Sequence, residues 1–162
     1  MPPRAAVAAY LLLATIAACA GPLKVSSSWT SLEDVCGPVF VELIPYSWVD
    51  EHYFISLDGH DPSDAYISHL KDLAHAAHRS ANLKKRSQLA ADQASQPLLK
   101  AVNISCGNLR WEGADRVRVA AGGLIAPMPG QRFALGGSGS DFVLERRNGQ
   151  WAIVAREGFW VS

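Results

Sequence analysis

The stretch that most restricts how this chain folds lies near its C-terminus, Asp141-Phe-Val-Leu-Glu-Arg-Arg-Asn-Gly-Gln-Trp-Ala-Ile-Val-Ala155. Two alternating runs meet at Asn148-Gly149, the dipeptide that best accepts positive φ at both centres of a two-residue type I′ hairpin loop. With that loop, Arg147 faces Gln150, Leu144 faces Ile153 and Phe142 faces Ala155. A side-chain period of two then puts Phe142, Leu144, Trp151 and Ile153 on one face, and Glu145, Arg147, Gln150 and Arg156 on the other. Apolar on one side and polar on the other is the signature of a half-buried antiparallel sheet.

The preceding segment has the same texture. Val102, Ile104 and Cys106 alternate, Leu109 and Trp111 fall on the other parity, and Gly107 between them predicts a bulge. Glu112-Gly-Ala-Asp115 turns the chain into Arg116-Val-Arg-Val-Ala120. The next strand is expected around Arg132 to Leu135, with Gly136-Gly-Ser-Gly139 as a flexible turn, and Phe159-Trp160-Val161 continues the last strand.

The N-terminal half reads differently. Leu32, Val35, Cys36, Val39, Phe40, Leu43 and Ile44 recur at helical spacing behind Ser31 as N-cap, but Gly37-Pro38 predicts either a kink or a helix that begins at Pro38. His52-Tyr-Phe-Ile-Ser-Leu57 reads as a strand stopped by Asp58-Gly59. Asp61-Pro62-Ser63-Asp64 supplies a capping carboxylate, a proline at the first helical position and a first-turn acid, so a helix follows it. Asn82 to Gln88 reads as a short edge strand and Leu89 to Ser95 as a loop or one helical turn. The fold class is therefore α+β: two helices packed on one face of a curved antiparallel sheet of four to six strands.

Before the domain, Met1-Pro-Pro-Arg4 leads into an apolar run from Ala5 to Ala18 that is too short to span a bilayer and ends in small residues, the pattern of an export signal. Ile16-Ala-Ala-Cys19 resembles the lipobox of bacterial lipoproteins, which implies lipidation of Cys19 and a membrane anchor. The competing cut, after Ala18-Cys19-Ala20, leaves a soluble periplasmic or secreted protein. The expected organisation is a signal peptide over 1–18, a tether over 19–30 and a single domain over 31–162. Cleavage leaves roughly 140 of the 162 residues, enough for one core. With Cys19 lipidated or removed, Cys36 and Cys106 remain, an even pair that an oxidising compartment would bond.

Lys and Arg number 15 against 15 Asp and Glu. That balance provides no field for nucleic acid, and Lys84-Lys85-Arg86 is too short for a polybasic arm. Asp58, His60, Asp61 and Asp64 form the densest set of metal-type ligands, but capping, helix-dipole and turn roles account for the three acids. His69, His75 and His78 fall on one helix, but only His75 and His78 are spaced as a pair, with no third ligand in sequence reach. Gly136-Gly-Ser-Gly139 lacks the lysine and following helix of a phosphate loop. No serine sits in a nucleophile elbow. No cofactor or metal is expected. Leu124-Ile-Ala-Pro-Met-Pro129 is apolar where a sheet normally turns through polar residues, so Leu124, Ile125 and Met128 either cap their own core or form a contact surface.

The order of elements is similar to the cone-shaped NTF2-like and cystatin-like folds, with a generic Arg-x-Asn-Gly-x-Trp hairpin. Phe54-Ile-Ser-Leu-Asp-Gly-His-Asp-Pro-Ser63 resembles a family of uncharacterised bacterial exported proteins that carry an S-x-x-G-K-D-P-S segment, with His60 in place of the lysine. The resemblance implies an exported protein and carries over no function. The functional expectation is a non-catalytic, lipid-anchored envelope domain presenting its sheet or apolar loop to a protein or cell-wall partner. The alternative is a small-molecule-binding or hydrolytic pocket at the open end of the cone, with Asp50, Glu51 and His52 as the nearest candidates.

Overall fold

Strands pair here in the order β2-β1-β3-β4-β5-β6. The computed structural model describes residues 29–44, 52–79, 81–127, 129–130 and 136–161. The expected signal segment, Cys19, Asp50, Glu51, Met128 and the strand expected over 132–135 lie outside the described residues. The elements are α1 (Ser31–Leu43), β1 (His52–Leu57), α2 (Asp64–Ala76), β2 (Asn82–Lys85), a 3-10 turn over Arg86–Gln88, α3 (Leu89–Ser95), β3 (Ala101–Gly113), β4 (Arg116–Ile125), β5 (Gly136–Arg147) and β6 (Gln150–Val161).

The fold is α+β, with three helices on an open six-stranded sheet. Two parts of the expected architecture are corrected. The sheet is mixed, because β1 runs parallel to both β2 and β3 while β3 to β6 form an antiparallel meander. The helices also occupy both faces. The connection β1-α2-β2 steps to one side and β2-α3-β3 steps back across β1. Right-handed crossovers in opposite directions place their helices on opposite faces. Accordingly β1 is buried from Tyr53 to Leu57 without alternation, as a strand covered on both sides must be.

On the first face, α1 and α2 cover Tyr53, Ile55, Leu57, Ile104, Cys106, Val117, Val119, Phe142, Leu144 and Trp151. On the second, α3 covers only the parallel end, where Leu89 and Leu99 pack against Phe54, Ala101 and Ala126. Among the described residues no helix covers the rest of the second face.

Helix α1 starts one residue earlier than expected. Thr30, not Ser31, is its N-cap: the Thr30 hydroxyl accepts from the Glu33 N–H at 3.3 Å, and the Glu33 carboxylate accepts from the Thr30 N–H at 2.9 Å. Trp29 packs on Tyr66 and stacks on His69. The folded domain thus takes in the last two residues assigned to the tether. The helix runs through Pro38. An interior proline costs about 3 kcal/mol, but Val35, Cys36, Val39 and Phe40 are all buried on this helix, and burial contributes about 1.5–3 kcal/mol for each large apolar side chain. Packing outweighs the lost bond. At the other end Arg79 donates to the carbonyls of Val41, Glu42 and Ile44, placing a cation on the negative pole of the helix.

Cys36 of α1 and Cys106 of β3 form a disulfide across the first core.

The last hairpin has φ of 53° at Asn148 and 81° at Gly149, the positive pair its loop requires. Leu144 faces Ile153 and Arg147 faces Gln150 as the sequence predicts, but the register shifts between Val143 and Leu144. Phe142 therefore faces Arg156 rather than Ala155, and Arg156 moves to the Phe142 face, its guanidinium 5.2 Å from that ring. A one-residue bulge inverts parity beyond it. The helix after Asp61-Pro62 is capped by Ser63, whose hydroxyl accepts from the Tyr66 N–H at 3.1 Å. Leu89–Ser95 is a helix, and Gly136-Gly-Ser-Gly139 is part of β5, not a turn.

Candidate functional site on the half-covered face

Strand register lays out the uncovered part of the second face in rows. Ser105 pairs with Gly122 and Gly122 with Gly139, and Trp160 closes the row on β6. The neighbouring row runs from Asn103 through Leu124 to Gly137. On the other side lie Ala120, Asp141 and Glu157. The centre of this face is thus floored by Ser105, Gly122, Gly139 and Ala120, residues with almost no side chain.

Trp160 uses that gap. A Cβ built on Gly139 would lie 2.5, 2.5 and 2.6 Å from Cε2, Cζ2 and Nε1 of Trp160, and one on Gly122 would lie 3.2 Å from Cζ2. The Nε1–Cζ2 edge of the indole therefore packs directly on Gly139. Any side chain there would lift it. Trp160 is nevertheless 45 % exposed, so much of the residue meets solvent.

Around it the corner is apolar: Leu124 is 40 %, Ile125 45 %, Phe159 64 % and Val161 70 % exposed. Two of the sequence-predicted contact residues, Leu124 and Ile125, are therefore on the surface, but as the end of β4 rather than in a loop. Leu124 lies on the Trp160 side of the sheet. Ile125 alternates to the other side, at the rim of the first face. The residues missed by sequence reasoning are Phe159, Trp160 and Val161, assigned there only to a continuing strand. Pairing across Gly139 puts Trp160 on the Leu124 side of the sheet, whereas Val161, across Ser138, and Phe159 alternate to the Ile125 side.

Toward β1 the same face deepens into an open groove of about 650 Å³ lined by Gly59, His60, Asp61, Ser87, Gln93 and Asn103, among others. Its walls are fixed by specific bonds. The Asp61 carboxylate, expected to cap α2, instead accepts from the Ser87 N–H at 3.1 Å and holds the 3-10 turn against the loop after β1. Hydrogen bonding from Ser87, with Lys85 and Arg86 nearby, keeps this carboxyl below the usual range, so it is an ionised acceptor at neutral pH. Gln93 donates to the Pro127 carbonyl at 2.8 Å, and Asp92 pairs with Lys84 at 2.5 Å, which together pin α3 to the sheet. Asn103 Oδ1 is buried without a hydrogen-bond partner among the described residues.

The other residues weighed in the sequence are scattered. Asp58 accepts from the Asn108 N–H at 2.8 Å, bracing the bulge of β3, where Asn108 has φ of 56°. Asp64 pairs with Lys85 at 2.9 Å on the opposite face. His69 stacks on Trp29 at 5.0 Å. His52 lies under α3, 4.0 Å from Asp92. No group of three His, Cys, Asp or Glu is placed to hold a metal among the described residues. At the far end of the face, Glu112, Arg116, Arg118, Glu145, Arg147 and Glu157 form a ladder of ion pairs at 2.5 to 3.1 Å. These pairs are exposed, and their Arg partners hold Glu112 and Glu145 below the usual carboxylate range.

Compared with known proteins, the chain matches no family model, no curated protein and no solved structure.

Proposed function

We propose that this chain is an exported, non-catalytic binding domain of the bacterial envelope, anchored through a lipidated Cys19, that presents the half-covered face of its sheet to an envelope partner. The observation that carries the reading is the apolar corner. Leu124 and Trp160 are exposed in adjacent rows of the half-covered face, and Ile125, Phe159 and Val161 are exposed on the opposite side of the same end of the sheet; exposed apolar surface on a small domain marks contact sites. The Cys36–Cys106 disulfide supports an oxidising compartment.

The alternative is a small-molecule or hydrolytic pocket, of the kind an NTF2-like cone would offer, and the groove beside α3 favours it. Binding fits that groove better than hydrolysis does. Asp61 is committed to Ser87 and held ionised, which suits an acceptor and disfavours a general acid.

Serine at both Leu124 and Ile125 tests the binding reading. Because both side chains are about half exposed, each substitution should cost roughly 1 kcal/mol, well under the 2–5 kcal/mol of a full core truncation. Sedimentation of the mature chain, prepared without its lipid, with isolated envelope material should fall sharply. Retention equal to the parent protein, with the fold intact, defeats the proposal.

A further inference from the structure

We propose that the half-covered face is a glycan-binding trough, in which a linear oligosaccharide lies across the strands from the groove beside α3 to Trp160. The inference rests on the binding-domain reading above and names its ligand class.

Three observations define the ligand. The first is the indole. Its Nε1–Cζ2 edge packs on Gly139 and Gly122 while the residue stays 45 % exposed, an aromatic plate seated on backbone and still open to solvent. Such a plate accepts a flat partner with weakly polar C–H groups, as the face of a pyranose ring has. The second is the floor, where Gly122 and Gly139 carry only the Trp160 indole above them and Ser105 beside them adds one exposed hydroxyl. From β3 to β6 this floor spans three strand spacings, about 14 Å, the scale of a short oligosaccharide and not of one ring. The third is the far wall. Asn103 Oδ1 is an acceptor without a partner among the described residues, and Ser87, His60 and Asp61 line the same groove. A buried acceptor left unpaired costs free energy that a ligand hydroxyl would recover.

A peptide fits less well. Peptides that join sheets do so through main-chain bonds at a free edge, whereas the backbone of β3, β4 and β5 is already paired on both sides throughout this floor. What the trough offers is a ring face, hydroxyls and an amide, which complement a molecule that is apolar on its faces and polar around its rim. The floor between Ser105 and Gly139 carries no charged side chain, so the central rings would be neutral.

Calorimetric titration of the mature chain with β-1,4-linked N-acetylglucosamine oligomers and α-1,4-linked glucose oligomers of one to five rings tests the assignment. At least one series should bind saturably, with affinity rising at least about tenfold from one ring to three and then levelling, since the ring over Trp160 and the ring in the groove act as linked sites. Trp160→Ala, and separately Ser105→Leu at an exposed position, should each weaken the three-ring ligand by about tenfold or more, with Ser105→Leu melting within about 2 °C of the parent and Trp160→Ala, whose ring is half buried, staying cooperatively folded about 3–10 °C below it. Trp160→Phe should keep most of the affinity. Silence from both series at millimolar ligand, or binding indifferent to Trp160→Ala and Ser105→Leu, overturns the proposal. If the sugars fail while envelope retention is still lost in the Leu124→Ser/Ile125→Ser variant, the glycan assignment falls and the binding-domain reading stands. If both measurements fail, both readings fall.

Discussion

Replacing Cys36 and Cys106 together by alanine separates what the disulfide does to the folded protein from what it does to the unfolded chain. The two cysteines are 70 residues apart in sequence. Closing a loop of that length removes about 15 cal/mol/K of chain entropy, or about 4 kcal/mol at 25 °C. Both sites are buried in the first core, so alanine avoids the unpaired hydroxyl that serine would introduce. For a domain of this size 1 kcal/mol shifts the melting temperature by about 3–5 °C, and the double variant should melt about 12–20 °C below the parent. Urea unfolding provides a second reading. If the bridge acts through the unfolded state, its loss lets that state expand, and the denaturant slope should rise along with the fall in midpoint. A loss under about 1 kcal/mol with an unchanged slope would refute the entropic argument. A large loss with an unchanged slope would place the effect in native packing instead.

Cys19→Ala should leave a precursor that is uncleaved or cut elsewhere and takes up no fatty-acid probe, since only a thiol accepts the first lipid group; unchanged labelling removes the anchor from the proposal. Gly149→Val places a β-branched residue at φ of 81° and should cost about 1–2 kcal/mol by chemical denaturation, whereas the same change at Gly113, which a side chain would meet with open space, should cost less. Burial pushes the Tyr66 phenol up, with Glu33 and Asp34 adding to the shift. A raised folded-state value makes its contribution complete below the unfolded phenol value, near pH 10, and progressively lost above it. Tyr66→Phe should therefore flatten the alkaline limb of the stability curve while costing roughly 1 kcal/mol near neutrality, where its hydroxyl donates to the Glu33 carbonyl at 2.7 Å.

What the sequence reveals of this fold follows the range of the interactions involved. The Asn148-Gly149 hairpin, the Asp58-Gly59 turn and the bulge near Gly107 are written in residues that touch their neighbours, and they can be read directly. Parallel pairing of β1 is not written that way. His52-Tyr-Phe-Ile-Ser-Leu57 reads the same in either orientation, and only the crossover through α3 shows that its second face is covered. Gly136-Gly-Ser-Gly139 was legible as a place without side chains, yet its role depends on Trp160, 21 residues further on, lying across Gly139 from the next strand. A glycine-rich segment preceding an alternating strand with a late aromatic was the available signal. Asn103, Ser105 and Ser87 carried none, since polar residues on strands and turns are unremarkable until a sheet brings them to one wall. Capping at Asp61 was misassigned for a related reason: an aspartate before a proline suits a helix start, but Ser63 lies closer, and Ser87 offers the carboxylate a distant donor.

The strand order also dictates a timetable. Strands β3 to β6 form a meander of near neighbours that can pair as soon as they exist. Strand β1 can find its central place only beside β3, whose first residue follows its own last by more than forty positions. A chain that emerges N-terminus first, from a ribosome or through a membrane pore, therefore exposes Cys36 long before Cys106 is available. During that interval the first thiol has no native partner. The earliest apolar segments, α1 and β1, wait beside it for the sheet that will cover them, which makes this half of the molecule the part a folding helper or an oxidant has most time to act on.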